Sequence, residues 1–361
     1  MRAHLSNNLG VFFLKSYVES QKFVALLLHQ DGTLSSDQIS WLEDFYTKQG
    51  RESCFEMIRA AKIIPFGAHI LSKLGIDSDF WERKHNDYYS RNEEIYKKLS
   101  QVFEDITKEG CYSLCLMENF AVLLRSKSCL SCFCSGDVDL TADIDERNTI
   151  EQIFIKHGFI KDTRRNNVED KMTNYYNHSF LEGGFWINIM WKPIARRLLL
   201  DQRRITKRFE SARNHASTIK SSSIRVLENT ELMYFSLLHI ASSHFYTLTP
   251  GMRLYTDIDR LARNCLIDWS KIPIWSKIDK IGLRTDLVLS ICSDILNTPI
   301  PSEAYNSQAI SPTFVKLKEY LIRKEDLVFF ERSGKLHRLY VEFLSDDVNL
   351  GKALINRILR V

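Results

Sequence analysis

Ser135-Gly136-Asp137-Val138-Asp139-Leu140 decides the reading of this chain, because it sets two carboxylates one residue apart inside an apolar, strand-like run. Residues i and i+2 of a strand point to the same face, so Asp137 and Asp139 stand side by side. Two carboxylates crowded in apolar surroundings repel each other and are costly unless a cation neutralises them. The pair therefore reads first as a Mg²⁺ site for phosphate chemistry. Two metals held this way can clamp a triphosphate and activate an attacking hydroxyl. The other reading is a solvated strand end, with Asp143 and Asp145 continuing an acidic loop.

Outward from this stretch the apolar period changes from segment to segment. Cys111 to Met117 predicts a short buried strand, Phe120 to Ser126 a helix, Cys132 to Ala142 a strand, Asn148 to His157 a helix, and Phe185 to Trp191 a further strand. Strands alternating with helices predict a small mixed sheet covered by helices. Upstream, Ser36-Asp37 caps a run through Trp41, Leu42 and Phe45, and short amphipathic pieces follow between Gly50, Pro65 and Gly75. A long helix is expected from Asp79 to Glu109, with Tyr96, Leu99, Val102, Phe103 and Ile106 at three-to-four spacing. Downstream, Thr230 to Asn297 returns to helical period, Pro299 and Pro301 break it, and the tail shows helical stretches at Phe314 to Arg323 and Leu350 to Leu359. The expected class is α+β: a core over residues 111–215, between helical regions over 1–110 and 216–361.

Composition narrows the partners. With 361 residues, 44% hydrophobic and 26% charged, the chain is ordinary for a soluble globular protein. A net charge of +4 on this length does not by itself argue for nucleic acid. Nothing approaches the ~18 consecutive apolar residues of a membrane span, so no membrane partner is expected. The run from Val11 to Leu28 is broken by Lys15, Glu19 and Lys22 and does not read as a signal peptide. Eight cysteines without a secretory signal point to free thiols and a cytoplasmic location. Cys129-x-x-Cys132 could open a zinc site, but no second CxxC or CxxH lies at a useful spacing, and the thiols at 111, 115, 129, 132 and 134 read as small core residues.

The order of these segments, with a helix ending in His157-Gly158-Phe159 and a later Trp-rich strand, resembles the uncharacterised bacterial nucleotidyltransferase-like proteins of the polymerase-beta superfamily. Leu237-Leu238-His239 through His244, then Arg253-Leu254-Tyr255-Thr256-Asp257-Ile258 and Ile267-Asp268-Trp269, is similar to that family's helical C-terminal portion. The resemblance implies a nucleotidyltransferase fold in which Asp137 and Asp139 hold Mg²⁺, a two-ion site being possible, and a carboxylate on a neighbouring strand completes the site. It also implies transfer of an NMP from an NTP to a hydroxyl-type acceptor (a small molecule, a protein or an RNA), with release of pyrophosphate. Two places depart from the family pattern. In Phe185-Trp186-Ile187-Asn188-Ile189-Met190-Trp191 the expected acid is Asn188, and a common histidine is Met190; an amide offers a metal only a neutral carbonyl oxygen. Glu118-Asn119 stands where a Lys-Gly pair suits phosphate, so Glu118 repels a triphosphate unless it joins the metal site.

The expected catalytic residues are thus Asp137, Asp139 and Asn188, with Glu118, Asn119, Gly136, Arg196, Arg197 and Arg253 as nucleotide contacts. The departures keep a second reading open: an inactive or weakly active module that binds a nucleotide or a partner. Other candidates have plainer readings beside them. Glu182 either replaces the missing acid or is an exposed hairpin residue. His239 and His244, five apart and so about 140° apart on a helix, read as hydrogen-bonded residues with Asp257 as a partner. Arg253 orients a phosphate or serves an ion pair with Asp257 and Asp259. The basic run Lys192 to Arg213, which includes Arg203, Arg204, Lys207 and Arg208 and faces only Asp201 and Glu210 as local acids, meets phosphate or is a solvated helix face.

Overall fold

Local chemistry accounts for the helices of the first hundred residues. A computed structural model describes residues 19–29, 33–134, 136–162, 173–178, 185–191, 202–220, 222–244, 246, 251–306, 314–315 and 318–319. Residues 19–27 form α1. The Ser35 hydroxyl accepts from Gln38 N–H and the Gln38 side chain accepts from Ser35 N–H, a reciprocal cap that starts α2 (Ser36–Gln49). Gly50, at φ +80°, ends α2 and turns the chain into α3 (Arg51–Ala60). Pro65 sits in the first turn of α4 (Ile64–Lys73), where its missing N–H is harmless. The 31-residue α5 (Ser78–Lys108) buries Trp81, Ile95, Leu99, Val102, Phe103 and Ile106 along one stripe, one residue out of step with the expected bounds. Trp81 Nε1–H donates to the Tyr46 hydroxyl at 2.9 Å, and that hydroxyl donates to Asp77 at 2.9 Å. Arg51 holds the same carboxylate, so one polar chain joins α2, α3 and the start of α5.

The core follows as β1 (Cys115–Leu116), α6 (Glu118–Arg125), β2 (Asp137–Thr141), α7 (Arg147–Lys156), β3 (Ile160–Lys161), β4 (Thr173–His178), β5 (Phe185–Met190), α8 (Gln202–Asn214), β6 (Ser217–Thr218) and β7 (Arg225–Val226). The strands form one mixed sheet in the order β3-β4-β5-β2-β1-β7-β6. β2 lies centrally, parallel to β5 and antiparallel to β1. The α+β class is as expected, but β2 is shorter than the stretch from Cys132 to Ala142. Leu130–Cys132 is a 3₁₀ turn, because the fully buried Asn92 donates Nδ2 to the Leu130 carbonyl at 2.6 Å and the Phe133 carbonyl at 3.0 Å. Carbonyls satisfied in this way have no need of a ladder partner. The sheet also runs past residue 215 to Val226.

The C-terminal helices are α9 (Asn229–Ser243), α10 (Met252–Asn264), α11 (Lys271–Asp279) and α12 (Gly282–Leu296). α6 packs between the sheet and the pair α9 and α10. Its last residue, Arg125, donates to the carbonyls of Val226 at 2.7 Å and Leu227 at 2.9 Å and to Ser217 Oγ at 2.8 Å, which pins the helix to β6 and β7. Arg208 of α8 forks onto the Asp279 carboxylate at 2.7 and 3.1 Å, and Tyr234 of α9 donates to it at 2.7 Å. Among the described residues no helix is long and apolar enough to cross a membrane. The expected tail helices, Phe314 to Arg323 and Leu350 to Leu359, fall mostly outside the described residues.

Candidate active site

The register of three strands builds the site. Asp139 lies directly opposite Asn188 across the parallel β2–β5 pair, and Asp137 lies opposite Trp186, so both aspartates and the amide share one face of the sheet. The residues alternating with them, Val138 and Leu140, face the other side of the sheet and are buried. Because β1 runs antiparallel to β2, the chain leaving Leu116 heads back along the aspartates. Met117 N–H donates to the Asp139 carbonyl at 2.9 Å, and the next residue is Glu118. Glu118 opens α6 at φ +56°, a left-handed conformation costly for a side-chain-bearing residue, of order 1 kcal/mol or more. This backbone position brings its carboxyl into hydrogen bond with that of Asp139.

Asn188 takes a role that its sequence position did not reveal. Its Nδ2 donates to Asp137 Oδ2 at 2.8 Å and to Asp139 Oδ1 at 2.9 Å, so the amide bridges the two carboxylates. Its own Oδ1 is buried with no hydrogen-bond partner among the described residues. Burial, and then the negative charges of Glu118 and Asp137, hold the Asp139 carboxyl well above its usual range. The donor set fits a divalent cation. Glu118 and Asp137 each press on Asp139, the Asn188 amide nitrogen lies between the two aspartates, and its Oδ1 is an unpartnered oxygen on the same residue.

Positive groups close the site from the C-terminal side. His239 of α9 donates Nδ1–H to Glu118 Oε1 at 2.9 Å, and its Nε2 meets Nε2 of His244 at 2.9 Å. Burial pushes His239 down, but the charge and hydrogen bond of Glu118 together with the charge of Asp257 outweigh it and raise the group above its ordinary value. Burial and the neighbouring His239 charge push His244 down to about 3. The two directions agree: a doubly protonated His239 donates from both nitrogens and a neutral His244 accepts. His239 thus bonds to Glu118 rather than to Asp257, which acts on it through charge. Burial pushes Asp257 up to about 7, against the charges of Arg260 and Arg253.

The His244 shift has a pH consequence. The folded group at about 3 lies below the ordinary 6.5, so the unfolded chain takes up this proton first as pH falls. Its stabilising contribution is complete above pH 6.5 and is lost progressively as pH drops toward 3, at a limiting slope of about 1.4 kcal/mol per unit. His239 works in the opposite sense and loses its contribution as pH rises through its raised pKa. In denaturant melts without divalent cation, His244→Gln is expected to be less acid-sensitive than wild type between pH 6 and 4, by about 1 kcal/mol or more. Parallel curves for the two proteins would refute the assignment.

The structure places the remaining expected residues unevenly. Arg253 of α10 donates to Cys134 Sγ at 3.4 Å, and the charges of Asp257 and Asp137 act on it, so it borders the acidic cluster. Asn119, Arg253 and Asp257 line a common narrow pocket with Cys134. Gly136 is exposed at the start of β2, and a Cβ there would meet nothing within 4 Å. Within the basic run, Arg204 donates to the Ile278 carbonyl, Arg208 to Asp279, and Arg213 to the Ala142 carbonyl and Asp143. These three arginines dock α8. Arg196, Arg197 and Glu182 lie outside the described residues. Sequence reading named Glu118 as a group that could join the site but missed His239 as its partner; the signal was the antiparallel return of β1, which spacing alone does not carry.

A family model described as an uncharacterised nucleotidyltransferase matches residues 48–293, more than half of the chain. The matched stretch takes in every described residue of the cluster, from Glu118 to Asp257. No curated protein and no solved structure matches the chain. The chain belongs to the uncharacterised nucleotidyltransferase family.

Proposed function

We propose that the protein is a Mg²⁺-dependent nucleotidyltransferase of the cytoplasm, which moves an NMP from an NTP to a hydroxyl-type acceptor and releases pyrophosphate. The observation that carries this reading is the pair Asp137 and Asp139 on one face of the sheet, bridged by Asn188 and with Glu118 bonded to Asp139. Asp137, Asp139 and Glu118 would hold the cation, with Asn188 as neutral fourth donor. The bound cation supplies neutralisation of the phosphates and a lower pKa for the acceptor hydroxyl. In the transfer the acceptor oxygen bonds to the α-phosphorus, and the bond from that phosphorus to the β-phosphate oxygen breaks. His239 holds Glu118 in place, and Arg253 at the edge of the acids orients the leaving phosphates.

One observation favours a second reading. The Asn188 amide hydrogens already occupy the space between the two carboxylates, which suits a protein that binds nucleotide or a partner without turnover. Mg²⁺-dependent pyrophosphate release from each NTP, with sugar, protein and RNA acceptors, separates the two. Asn188→Asp is expected to bind the divalent ion about tenfold tighter or more, to turn over faster, and to lose about 1–3 kcal/mol of stability without metal, because it replaces a bridging donor by a further carboxylate. Absence of NTP binding and of turnover in both proteins would eliminate the enzyme.

A further inference from the structure

A second cluster of metal-ligating side chains lies away from the aspartates. His69 of α4, His85 of α5 and Cys129 of the loop before the 3₁₀ turn bring one ligand atom each to within 4.8 Å of one another. Cys129 Sγ is 3.5 Å from His85 Nε2, and His69 also hydrogen-bonds to the sulfur. The imidazoles of His69 and His85 stack at 5.3 Å between centroids. In a tetrahedral zinc centre, metal bonds of about 2.0–2.3 Å place neighbouring N and S atoms roughly 3.3–3.6 Å apart. The Cys129–His85 separation already has that value, and small rotamer changes bring in His69.

We infer that His69, His85 and Cys129 form a Cys-His₂ site for a zinc-class divalent ion, with its fourth position filled by water or a small anion. Three features beyond the triad support this. His85 Nδ1 lies 3.4 Å from Asn86 Oδ1, an outer acceptor of the kind ligating histidines use; with the proton on Nδ1 the Nε2 lone pair faces the sulfur. Ser131 Oγ lies 3.1 Å from the sulfur and orients it. His69 and Cys129 also line a cavity of about 350 Å³ whose wall carries Lys127, Arg260, Ser126 and Ser128, a basic, hydroxyl-bearing space from which water or an anion reaches the open position. On binding an ion the Cys129 thiol gives up its proton to solvent, as a thiolate ligand must.

The ligands come from α4, α5 and the loop that leads into β2, so a bound ion would clamp the N-terminal helices to the strand of the aspartates. The cysteine's partners are two histidines distant in sequence, so no local CxxC or CxxH spacing around Cys129-x-x-Cys132 marks the site.

The test uses the full chain, purified without chelator and titrated with Zn²⁺ and with Co²⁺. One equivalent of Zn²⁺ per chain is expected, and the Co²⁺ form is expected to show a thiolate-to-cobalt charge-transfer band with tetrahedral d–d absorption. Cys129→Ala should abolish the charge-transfer band, and His85→Gln should weaken binding about tenfold or more. Asp137→Ala should leave the band unchanged, which keeps this site distinct from the aspartate cluster. Should a variant fail to fold, the wild type still decides: stoichiometric Zn²⁺ should slow iodoacetamide labelling of Cys129, read by peptide mass spectrometry, by about tenfold or more. A Co²⁺ spectrum without the thiolate band, or labelling of Cys129 at equal rates with and without Zn²⁺, would overturn the assignment.

Discussion

Asp137→Ala and Asp139→Ala are each expected to lower Mg²⁺-dependent pyrophosphate release by about a thousandfold or more while leaving the protein folded. Either change removes one of the two charges that face each other from β2, and a cation that neutralises a triphosphate contributes several kcal/mol to the transition state. The fold should survive because the carboxylates are in tension with each other. Burial and its acidic neighbours push the Asp139 carboxyl well above its usual range, so deleting Asp137 relieves repulsion rather than exposing a defect. Asn188 keeps one of its two acceptors in either variant. The thermal midpoint without added metal should therefore stay level or rise, while Mg²⁺ titration loses its stabilising shift. A variant with full activity would remove the aspartates from catalysis, and a collapse of the midpoint would show that they serve the fold.

The largest stability effect is expected elsewhere, at Asp279. This carboxylate has no solvent exposure, takes a two-pronged bond from Arg208 and accepts a third hydrogen bond from Tyr234. The guanidinium also lies over the rings of Tyr234 and Trp275, at 5.6 and 5.0 Å. Asp279→Ala leaves a largely buried cation and a buried hydroxyl without their acceptor, at a cost of about 3–5 kcal/mol. Asp279→Asn keeps shape and an acceptor oxygen and should cost less. Because Arg208 lies on α8 and Asp279 ends α11, urea melts should show the loss as a cooperative shift of midpoint with little change in slope. A loss below about 1 kcal/mol would mean that the pair contributes no more than a surface bridge.

Much of the fold was legible, and particular residues explain where legibility stopped. Long helices with a clean stripe, such as α5, announce themselves because burial and period coincide. β2 and β5 did so too, since Val138, Leu140, Ile187 and Ile189 are apolar runs on strands buried in the middle of a sheet. β4, with Thr-Asn-Tyr-Tyr-Asn-His, carries no apolar alternation; it is a strand because β5 offers it a ladder edge. β6 and β7 are two residues each, too short for any period to register, whereas β1 lies within the buried strand read from Cys111 to Met117. The site divides the same way. The aspartate pair is a local pattern, so the sequence could show it, whereas the approach of Glu118, His239 and Arg253 depends on three separate elements meeting. Arg208 and Arg213 show the converse: a basic run that suggested phosphate contains arginines committed to Asp279 and Asp143 in the fold.

Asn188 bears on how such a site persists. An Asn codon lies one base change from an Asp codon, so mutation offers the carboxylate cheaply, and the genetic code does nothing to keep the amide. The electrostatic count does. A further acid beside Glu118, Asp137 and Asp139 would make the cluster depend on bound metal for its very assembly, whereas the amide hydrogens act as an internal stand-in for the ion. A site built this way keeps its two acids in place with no cation between them.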